Sequence, residues 1–540
     1  MNPAVTKQER RWVLIFALVA MLVISLPYFE GFARQGEDWV FTGFVINVDD
    51  SNSYIAKMLR GAQGDWLFRT PYTAYPQEGA LVLMPYILLG KLTSQPNQHL
   101  QMVLIFHIFR FVAGVLMILA SYNFIALFIQ SITWRRWGTA LATLGGGLGW
   151  LLVLLGAGDW LGSLPLDFYS PESFGFLSLL TLPHLALGRA LLLWGFVAYL
   201  APIAEDQGMV WFDKKAIIAG ILWSLLSFMQ PMTTLIAGVM VFGFIVGTLR
   251  YNTWGGRFRS MPWACWRGYI WRAVLAGIIA SPIVLYTVWD FSSDPFLQAW
   301  TGQNFLPSPH PLHYLAAYIL VLPFAFVGLF KIVPTFPWRG VLPVVWVALV
   351  PLMVYSPVNV QRRLAEGVWV MLVVLAVYAI EQWKSRPPKW VWGSVLLSFG
   401  TSIFLLAGSL LATWNPSEPL YRPVEEVTAL MQLREITEDG DIVLTSVETG
   451  NVLPVWTPQR VIIGHGPESI DGPRIYAAVQ SFYGSSLTEE QRQDMLDEFG
   501  VAYVWWGPHE RDIGEWRADG SLNLEMIVDV GEYQVYRVVE

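Results

Sequence analysis

Two adjacent carboxylates, Asp49 and Asp50, follow the first apolar segment of the chain. Ionisable groups near hydrocarbon lose hydration, so they are usually paired, metal-bound or functional. One of the two could accept a proton from an attacking hydroxyl, because repulsion between neighbouring carboxylates raises the proton affinity of one of them. The pair could instead share a divalent cation such as Mg²⁺ or Mn²⁺. In a third interpretation, Asp50 and Ser51 only cap a helix that starts near Asn52.

The composition is that of a membrane protein. Of the 540 residues, 54% are hydrophobic and only 14% are charged, whereas soluble proteins carry about 25% charged residues. The single cysteine, Cys265, excludes an intrachain disulfide framework and a cysteine-ligated metal cluster. We therefore predict a polytopic α-helical membrane protein with a soluble α/β domain at its C-terminal end.

Nucleotide-binding signatures are missing from the sequence. It contains no GxxxxGK[ST] motif, and the glycine-rich run at 145–149 lies in an apolar stretch. We expect these glycines to lie inside a spanning helix and to allow close helix packing. A substrate would then arrive by the membrane, and we expect no nucleic-acid partner.

Apolar stretches that approach the roughly 20 residues needed to cross a bilayer recur along the chain. Eleven are predicted, at 12–29, 101–130, 137–156, 185–203, 216–230, 232–249, 272–290, 312–331, 340–356, 366–382 and 391–412. The first is interpreted as a retained anchor with a cytoplasmic N-terminus, in a multi-pass protein of the cytoplasmic (inner) membrane. Alternation then places the basic loops inside, as the positive-inside rule requires. These loops carry Arg135 and Arg136, Lys214 and Lys215, the basic residues of 250–272, Lys331 and Arg339, and Lys384, Arg386 and Lys389.

The same alternation places both aspartates in a first outer loop at about residues 30–100. Its apolar stretch at 79–92 is short and contains Pro85, which predicts a re-entrant or surface-lying helix rather than a crossing. Residues 1–412 form the predicted transmembrane domain. Residues 413–540 alternate short apolar runs with helical patterns, which predicts an extracytoplasmic α/β domain.

An outer basic pair, Arg362 and Arg363, breaks the inside bias of positive charge. Guanidinium groups offer a planar fork that matches phosphate oxygens, so we predict that this pair binds phosphate. The structural alternative is snorkelling at a helix end or an ion pair with Glu366. Arg110 lies within a spanning stretch, where a charge needs a partner. We expect Arg110 either to neutralise a first-loop aspartate or to bind phosphate.

Other polar residues of the outer loops are candidate contacts for substrate or acceptor. They are Tyr54, Lys57, Glu78, Glu172 and His184. Beyond residue 413, the turn-like stretches at 445–450 and 463–466 each follow a predicted strand. Neither forms a recognised catalytic set, so we interpret this region as a lid or acceptor platform.

The stretch NVDDSNSYIAKM at 47–58, followed by GAQGDWLF at 61–68 and YPQEG at 75–79, resembles the first periplasmic loop of the type C glycosyltransferase superfamily. More narrowly, it is similar to the branch of the bacterial protein-mannosyltransferases and the Rhizobium-type core-sugar transferases. Members of this superfamily use sugars linked to lipid phosphates. The resemblance implies that Asp49 or Asp50 is a general base, or binds a divalent cation as in members that need one.

We therefore expect inverting transfer of a sugar from a polyprenyl-phosphate donor to a hydroxyl of a glycan, lipid or protein acceptor. Asp49 or Asp50 would take the proton, while Arg362, Arg363 and Arg110 would hold the charge of the leaving phosphate. The first-loop carboxylates and the arginine pair should then converge on one outer pocket. A transporter or flippase of lipid-linked precursors, which predicts internal repeats, is the first alternative. A non-catalytic envelope assembly protein is the second.

Overall fold

The computed structural model describes residues 5–203, 211–254, 261–336, 338–383, 386–518 and 523–539, except the side chains at 250–254. Four of the predicted cytoplasmic charges lie outside this description: the Arg250 side chain, Arg257, Arg259 and Lys384. Contacts between Cα atoms divide the chain into two compact units. Unit 1 comprises Met1–Leu26, Phe109–Val288 and Leu306–Gly408, and unit 2 comprises Pro27–Ile108, Trp289–Phe305 and Ser409–Glu540.

Helices dominate the first three quarters of the chain. In order they are α1 (Lys7–Ile24), α2 (Leu26–Arg34), α3 (Val48–Ala62), α4 (Met84–Gly90), α5 (Gln98–Ile125), α6 (Ile132–Leu144), α7 (Gly149–Leu154), α8 (Gly175–Thr181), α9 (Pro183–Tyr199), α10 (Lys214–Met229), α11 (Pro231–Trp254), α12 (Trp263–Ser293), α13 (Pro295–Gln303), α14 (Pro311–Tyr318), α15 (Leu322–Thr335), α16 (Val341–Met353), α17 (Val368–Glu381), α18 (Lys389–Leu397) and α19 (Gly400–Trp414). A short 3₁₀ helix, Gln361–Ala365, precedes α17.

Six helical stretches of the described chain are long and apolar enough to cross a membrane. They are Lys7–Arg34, Gln98–Ile125, Pro231–Leu249, Trp263–Ser293, Gln361–Glu381 and Lys389–Trp414. The bent pair α14 and α15 would make a seventh if it forms one span. Each of the eleven predicted stretches contains helix, but α9, α10 and α16 are shorter than a full span, and the stretch at 137–156 is divided into the short helices α6 and α7. The predicted number of eleven is thus not confirmed by length and composition alone.

The glycine-rich run at 145–149 interrupts a helix, contrary to the prediction that it lies inside one. Helix α6 ends at Leu144 and α7 begins at Gly149. Buried Asp167 accepts hydrogen bonds from the amides of Gly147 (3.0 Å) and Gly149 (3.1 Å). A Cβ atom on Gly149 would lie 2.1 Å from the Asp167 Oδ1 atom. Glycine is required here because the carboxylate approaches the backbone too closely for a side chain.

The part of unit 2 beyond residue 420 is built on a mixed sheet. Its strands are β3 (Ile442–Leu444), β4 (Arg460–Val461), β5 (Val501–Trp506), β6 (Leu524–Val530) and β7 (Tyr533–Val538), in the order β4-β3-β5-β7-β6. Strand β3 pairs in parallel with β4 and β5, whereas β7 pairs antiparallel with β5 and β6. The helices of this part are α20 (Val424–Ile436), α21 (Val447–Trp456), α22 (Gly472–Tyr483), α23 (Glu489–Phe499) and α24 (Pro508–Ile513).

Most of these elements lie where the sequence pattern places them, because apolar residues mark the strands and buried helix faces. Helix α21 is an exception, since its start was predicted as a turn. A second difference is the two-stranded sheet of β1 (Trp39–Phe41) with β2 (Tyr421–Pro423), which joins the first loop to the C-terminal part of unit 2. Pairing between strands so far apart in sequence has no local signal.

The predicted re-entrant or surface-lying helix of the first loop is the seven-residue α4. It packs closely on α3 because both helices present glycine at the contact. A Cβ on Gly61 would lie 2.0 Å from the Ile87 carbonyl oxygen, and one on Gly90 would lie 1.8 Å from that of Met58. Tyr54 of α3 also stacks on Tyr86 of α4, with ring centroids 4.5 Å apart. Helix α3 is thus held firmly in the core of unit 2.

Candidate active site

Asp49 and Asp50 lie in the first turn of α3, which begins at Val48. Asn47 precedes the helix in the left-handed conformation (φ 57°) and makes no side-chain cap to its amides. The cap prediction for Asp50 and Ser51 is therefore wrong, because both residues already lie within the helix. The positive end of the helix dipole stabilises carboxylates at this position.

Asp50 is fixed by two neighbours. Its Oδ2 atom accepts a hydrogen bond from the Asn47 side-chain amide at 2.7 Å, and its Oδ1 atom lies 3.1 Å from the His465 Nε2 atom. The Asp50 side chain nevertheless remains 46% exposed. Its orientation is thus set from both sides while one edge still faces solvent.

Asp49 has a more open side chain. It is exposed, and its backbone carbonyl accepts a hydrogen bond from the Asn451 side chain at 3.3 Å. Desolvation by the surrounding chain raises the pKa of the Asp49 carboxyl. The nearby His465 opposes this rise, whereas the Asp50 and Glu448 carboxylates add to it. Asp49 is therefore an accessible carboxylate with an increased affinity for protons.

A buried charge cluster lies behind Asp50. Glu468 accepts hydrogen bonds from Lys57 Nζ (2.7 Å) and Thr70 Oγ1 (2.6 Å), and its Oε1 atom lies 3.4 Å from His465 Nδ1. Burial disfavours the charged Glu468 carboxylate, but Lys57 and His465 outweigh it and lower its pKa to about 2. Burial likewise disfavours the His465 imidazolium, but Glu468 and Asp50 raise its pKa to about 9. His465 is thus positively charged at neutral pH.

The other first-loop candidates have diverse surroundings. Lys57 is fully buried in its ion pair with Glu468, and Tyr54 is buried against Tyr86. Both residues therefore belong to the support of α3, and a contact with substrate stays a prediction for each. Glu78 is exposed in the segment before α4.

Arg362 and Arg363 lie side by side in the 3₁₀ helix of unit 1. The Arg362 guanidinium stacks over the Tyr169 ring at 4.4 Å, and its buried Nε atom has no hydrogen-bond partner among the described residues. Arg363 is 44% exposed, and its Nε atom lies 3.7 Å from the Glu172 Oε1 atom. Arg362 therefore retains hydrogen-bonding capacity that an anion could use.

Glu366 pairs with Arg189 rather than with the neighbouring arginines. The Arg189 Nε atom lies 2.7 Å from the Glu366 Oε1 atom, and both side chains are buried. Arg189 also donates to the backbone carbonyls of Pro171 and Glu172. The alternative that Arg362 or Arg363 serves only to neutralise Glu366 is thus wrong.

Two further candidates lie within the helices of unit 1. Arg110 is buried and donates to the Leu179 carbonyl (3.2 Å) and the Ser25 hydroxyl (2.8 Å). His184 is the second residue of α9 and is 7% exposed. The aspartates belong to unit 2 and these groups to unit 1, so convergence on one pocket stays a prediction.

A divalent cation at the aspartates stays a prediction. Among the described residues, no group of three or more His, Cys, Asp or Glu side chains is arranged to hold a metal ion. Both Asp50 oxygens already contact Asn47 or His465, and a positively charged His465 would repel a cation.

The comparisons with known proteins point to one fold. No family model matches the chain, and no curated protein matches it in sequence. The cryo-EM structure of the arabinofuranosyltransferase AftD from Mycobacteria matches 98% of this chain and 40% of its own, with a TM-score of 0.58 and 13% identity.

Two structures of oligosaccharyltransferase from Archaeoglobus fulgidus also match. The complex with Zn and sulfate has a TM-score of 0.52 at 13% identity, covering 91% of this chain and 67% of that one. The archaeal oligosaccharyltransferase AglB from this organism, in complex with an inhibitory peptide and a dolichol-phosphate, has a TM-score of 0.50 at 12% identity. This match covers 93% of the present chain and 70% of AglB. The chain therefore has the type C glycosyltransferase fold, as the first-loop resemblance predicts, and it spans 40% of AftD.

Sequence reasoning missed the partners of the candidate residues. The sequence places His465 in a turn after a predicted strand, and it gives no local signal for Glu468 or Arg189 as partners. The glycines that flank His465 were a signal for an unusual backbone. Nothing local could connect that turn to Asp50, which lies 415 positions away in the sequence.

Proposed function

We propose that this protein is a membrane glycosyltransferase that uses a polyprenyl-phosphate-linked sugar as donor. The observation that carries the proposal is Asp49, an accessible carboxylate of raised pKa beside an oriented Asp50. Its support is the fold shared with glycosyltransferases, one of them in complex with a dolichol-phosphate. The reaction is placed at the outer face of the cytoplasmic membrane, with the N-terminus inside and the aspartates outside.

The proposed chemistry is a single displacement at the anomeric carbon. The acceptor hydroxyl oxygen forms the new glycosidic bond as the bond from that carbon to the phosphate oxygen breaks, which inverts the anomeric configuration. The hydroxyl proton passes to the Asp49 carboxylate as the new bond forms. The raised pKa suits this role, because a stronger base accepts the proton more readily.

The leaving group is a lipid phosphate that gains negative charge in the transition state. Arg362 is the better placed of the arginine pair to hold this charge, since its Nε atom is not engaged by the described residues. Arg363 adds positive charge beside it, partly offset by Glu172. Arg110 is a weaker candidate because it already donates two hydrogen bonds within its helices.

The test is sugar transfer by purified protein in lipid nanodiscs. Radiolabelled undecaprenyl-phosphate sugars are supplied with an envelope extract, and label in glycan, lipid and protein fractions is measured. We expect D49N to lower transfer by about 100-fold or more, which is the usual contribution of a general base. Glu37→Gln, which removes an exposed carboxylate of the same loop, should leave transfer unchanged.

The rival functions give different results in this experiment. Transfer by D49N equal to that of the wild type contradicts the proposal. A transporter or flippase would move labelled donor across the bilayer of a liposome without joining sugar to acceptor. An assembly protein would do neither.

A further inference from the structure

We propose that His465 is a positioning residue, which holds the Asp50 carboxylate in place from the C-terminal part of unit 2 and so orients the aspartate pair for catalysis. This inference rests on the proposed function and deepens it. It assigns a role to the 463–466 turn that the reaction above does not use. His465 acts through Asp50 and is not itself proposed to touch substrate.

The contact between His465 and Asp50 is the outer end of a chain of side chains. Lys57 of α3 contacts Glu468, Glu468 contacts His465, and His465 contacts Asp50 at 3.1 Å. The exposed fractions of these four side chains are 0%, 4%, 12% and 46% in that order. These side-chain contacts therefore run from the core of unit 2 to the surface where Asp50 meets solvent.

The charges of these four side chains compensate one another. Glu468 is a single buried carboxylate between two cations, Lys57 and His465, and Asp50 supplies the second negative charge. A buried charge without a partner is strongly destabilising, so each member requires its neighbour. The Tyr72 ring lies beside His465, with centroids 5.4 Å apart, and restricts imidazole rotation. Asp49 and Glu448 add negative charge near this end of α3.

The backbone that carries His465 is fixed as well. The Ser469 hydroxyl accepts hydrogen bonds from the amides of Gly464 (3.0 Å) and His465 (3.1 Å). The Gln303 side chain donates to the carbonyls of Pro467 (3.2 Å) and Ser469 (3.1 Å). A histidine held in this way presents its Nε2 atom at a defined position, which is what an orienting contact requires.

A second tie connects the same region to α3. Asn451 of α21 accepts a hydrogen bond from the Asn52 side chain at 2.7 Å and donates to the Asp49 carbonyl at 3.3 Å. Gly450 and Gly464 allow α21 and the His465 segment to touch, since a Cβ on Gly464 would lie 2.3 Å from the Gly450 oxygen. Asn451 thus fixes the backbone of the aspartate turn, and His465 fixes the Asp50 side chain.

The experiment compares H465A, H465Q, D50N and D50N/H465A, with D49N and His509→Ala as reference variants. Glutamine can place an amide N–H near the position of the Nε2 atom and so donate to Asp50. His509 is a second histidine of the same unit, and its Nε2 atom pairs with Glu418 rather than with Asp50. Size-exclusion profiles and thermal unfolding midpoints in detergent establish that each variant is folded.

We expect H465A to lower kcat by about 10-fold or more, because misplacing catalytic groups is costly. The donor KM should change little, since phosphate binding is assigned elsewhere. H465Q should retain most of the kcat that H465A loses. The double variant D50N/H465A should have nearly the same kcat as D50N, because H465A acts through Asp50. His509→Ala should match the wild type.

If D49N stays inactive, three results would overturn the inference: H465A keeps the wild-type kcat, H465A and H465Q lose kcat equally, or the losses of kcat in D50N and H465A multiply in the double variant. Equal losses or multiplying losses would show that His465 has only a structural role. A fully active D49N would instead overturn the proposed function, and this inference with it.

Discussion

Asp49 and Asp50 are neighbours in sequence but have different surroundings in the structure. Asp50 contacts Asn47 and His465, while the Asp49 carboxylate is exposed and has a raised pKa. The proposed proton acceptor, Asp49, and its oriented neighbour, Asp50, can therefore be distinguished. The sequence alone left these two roles interchangeable.

The pH at which transfer activity rises should depend on the residue at position 448. The base must be ionised, so activity should rise with pH as Asp49 loses its proton, above the range of an ordinary aspartate. Glu448 raises the pKa of Asp49, so Glu448→Gln should shift this rise to lower pH. The measurement is kcat/KM against pH.

Glu435→Gln, a change at another exposed carboxylate of unit 2, provides the control and should leave the pH dependence of kcat/KM unchanged. A shift to higher pH in Glu448→Gln would contradict the assignment of Asp49 as the base.

The two arginines should also differ. Lysine keeps the charge but loses the planar fork, so Arg362→Lys should raise the donor KM by about 10-fold, equivalent to about 1.4 kcal/mol of lost binding. Arg363→Lys should have a smaller effect, because Arg363 is exposed and faces Glu172. The measurement is the donor KM at saturating acceptor. A larger effect at Arg363 would reverse the assignment of the phosphate ligand.

Among the elements, helix α3 is central to the proposed reaction, since it carries both aspartates and is packed on α4 and α21. Its contact with α4 depends on glycines. Gly90→Ala would place a Cβ 1.8 Å from the Met58 carbonyl oxygen and force the two helices apart. We expect a loss of about 1–3 kcal/mol in unfolding free energy and a lower kcat, because α3 would shift.

Gly302→Ala is the matched control, because a Cβ there meets nothing within 4 Å and the position is helical. Stability of both variants is measured by denaturant titration in detergent, alongside transfer. A Gly90→Ala protein as stable and active as Gly302→Ala would show that α3 tolerates displacement.

For the whole molecule, the predicted orientation can be mapped with single cysteines. Cys265 is buried, so Cys265→Ser provides a background without exposed thiols. In intact cells, a membrane-impermeant maleimide should label cysteines placed at Glu78 and Glu490, which are exposed residues of the predicted outer regions. A cysteine at exposed Lys389, in a predicted inner loop, should be labelled only after the membrane is opened.

Labelling of both the first loop and residue 389 in intact cells would exclude the alternation predicted from the basic loops. Labelling at Glu78 but not at Glu490 would place the two sequence regions of unit 2 on opposite sides of the membrane. That result would be incompatible with the β1–β2 pairing and the contact between His465 and Asp50.

The sequence by itself determined the features that depend on local composition and periodicity. Apolar stretches marked the helices, short apolar runs marked strands such as β3 and β5, and the paired aspartates and arginines marked the candidate chemistry. Only the tertiary structure decided which distant residues support them: His465 and Glu468 behind Asp50, Arg189 opposite Glu366, and Asp167 beneath the broken glycine-rich helix. The physical reason is that burial and secondary structure are written in neighbouring residues, whereas an ion pair or hydrogen bond between distant segments depends on how the whole chain packs.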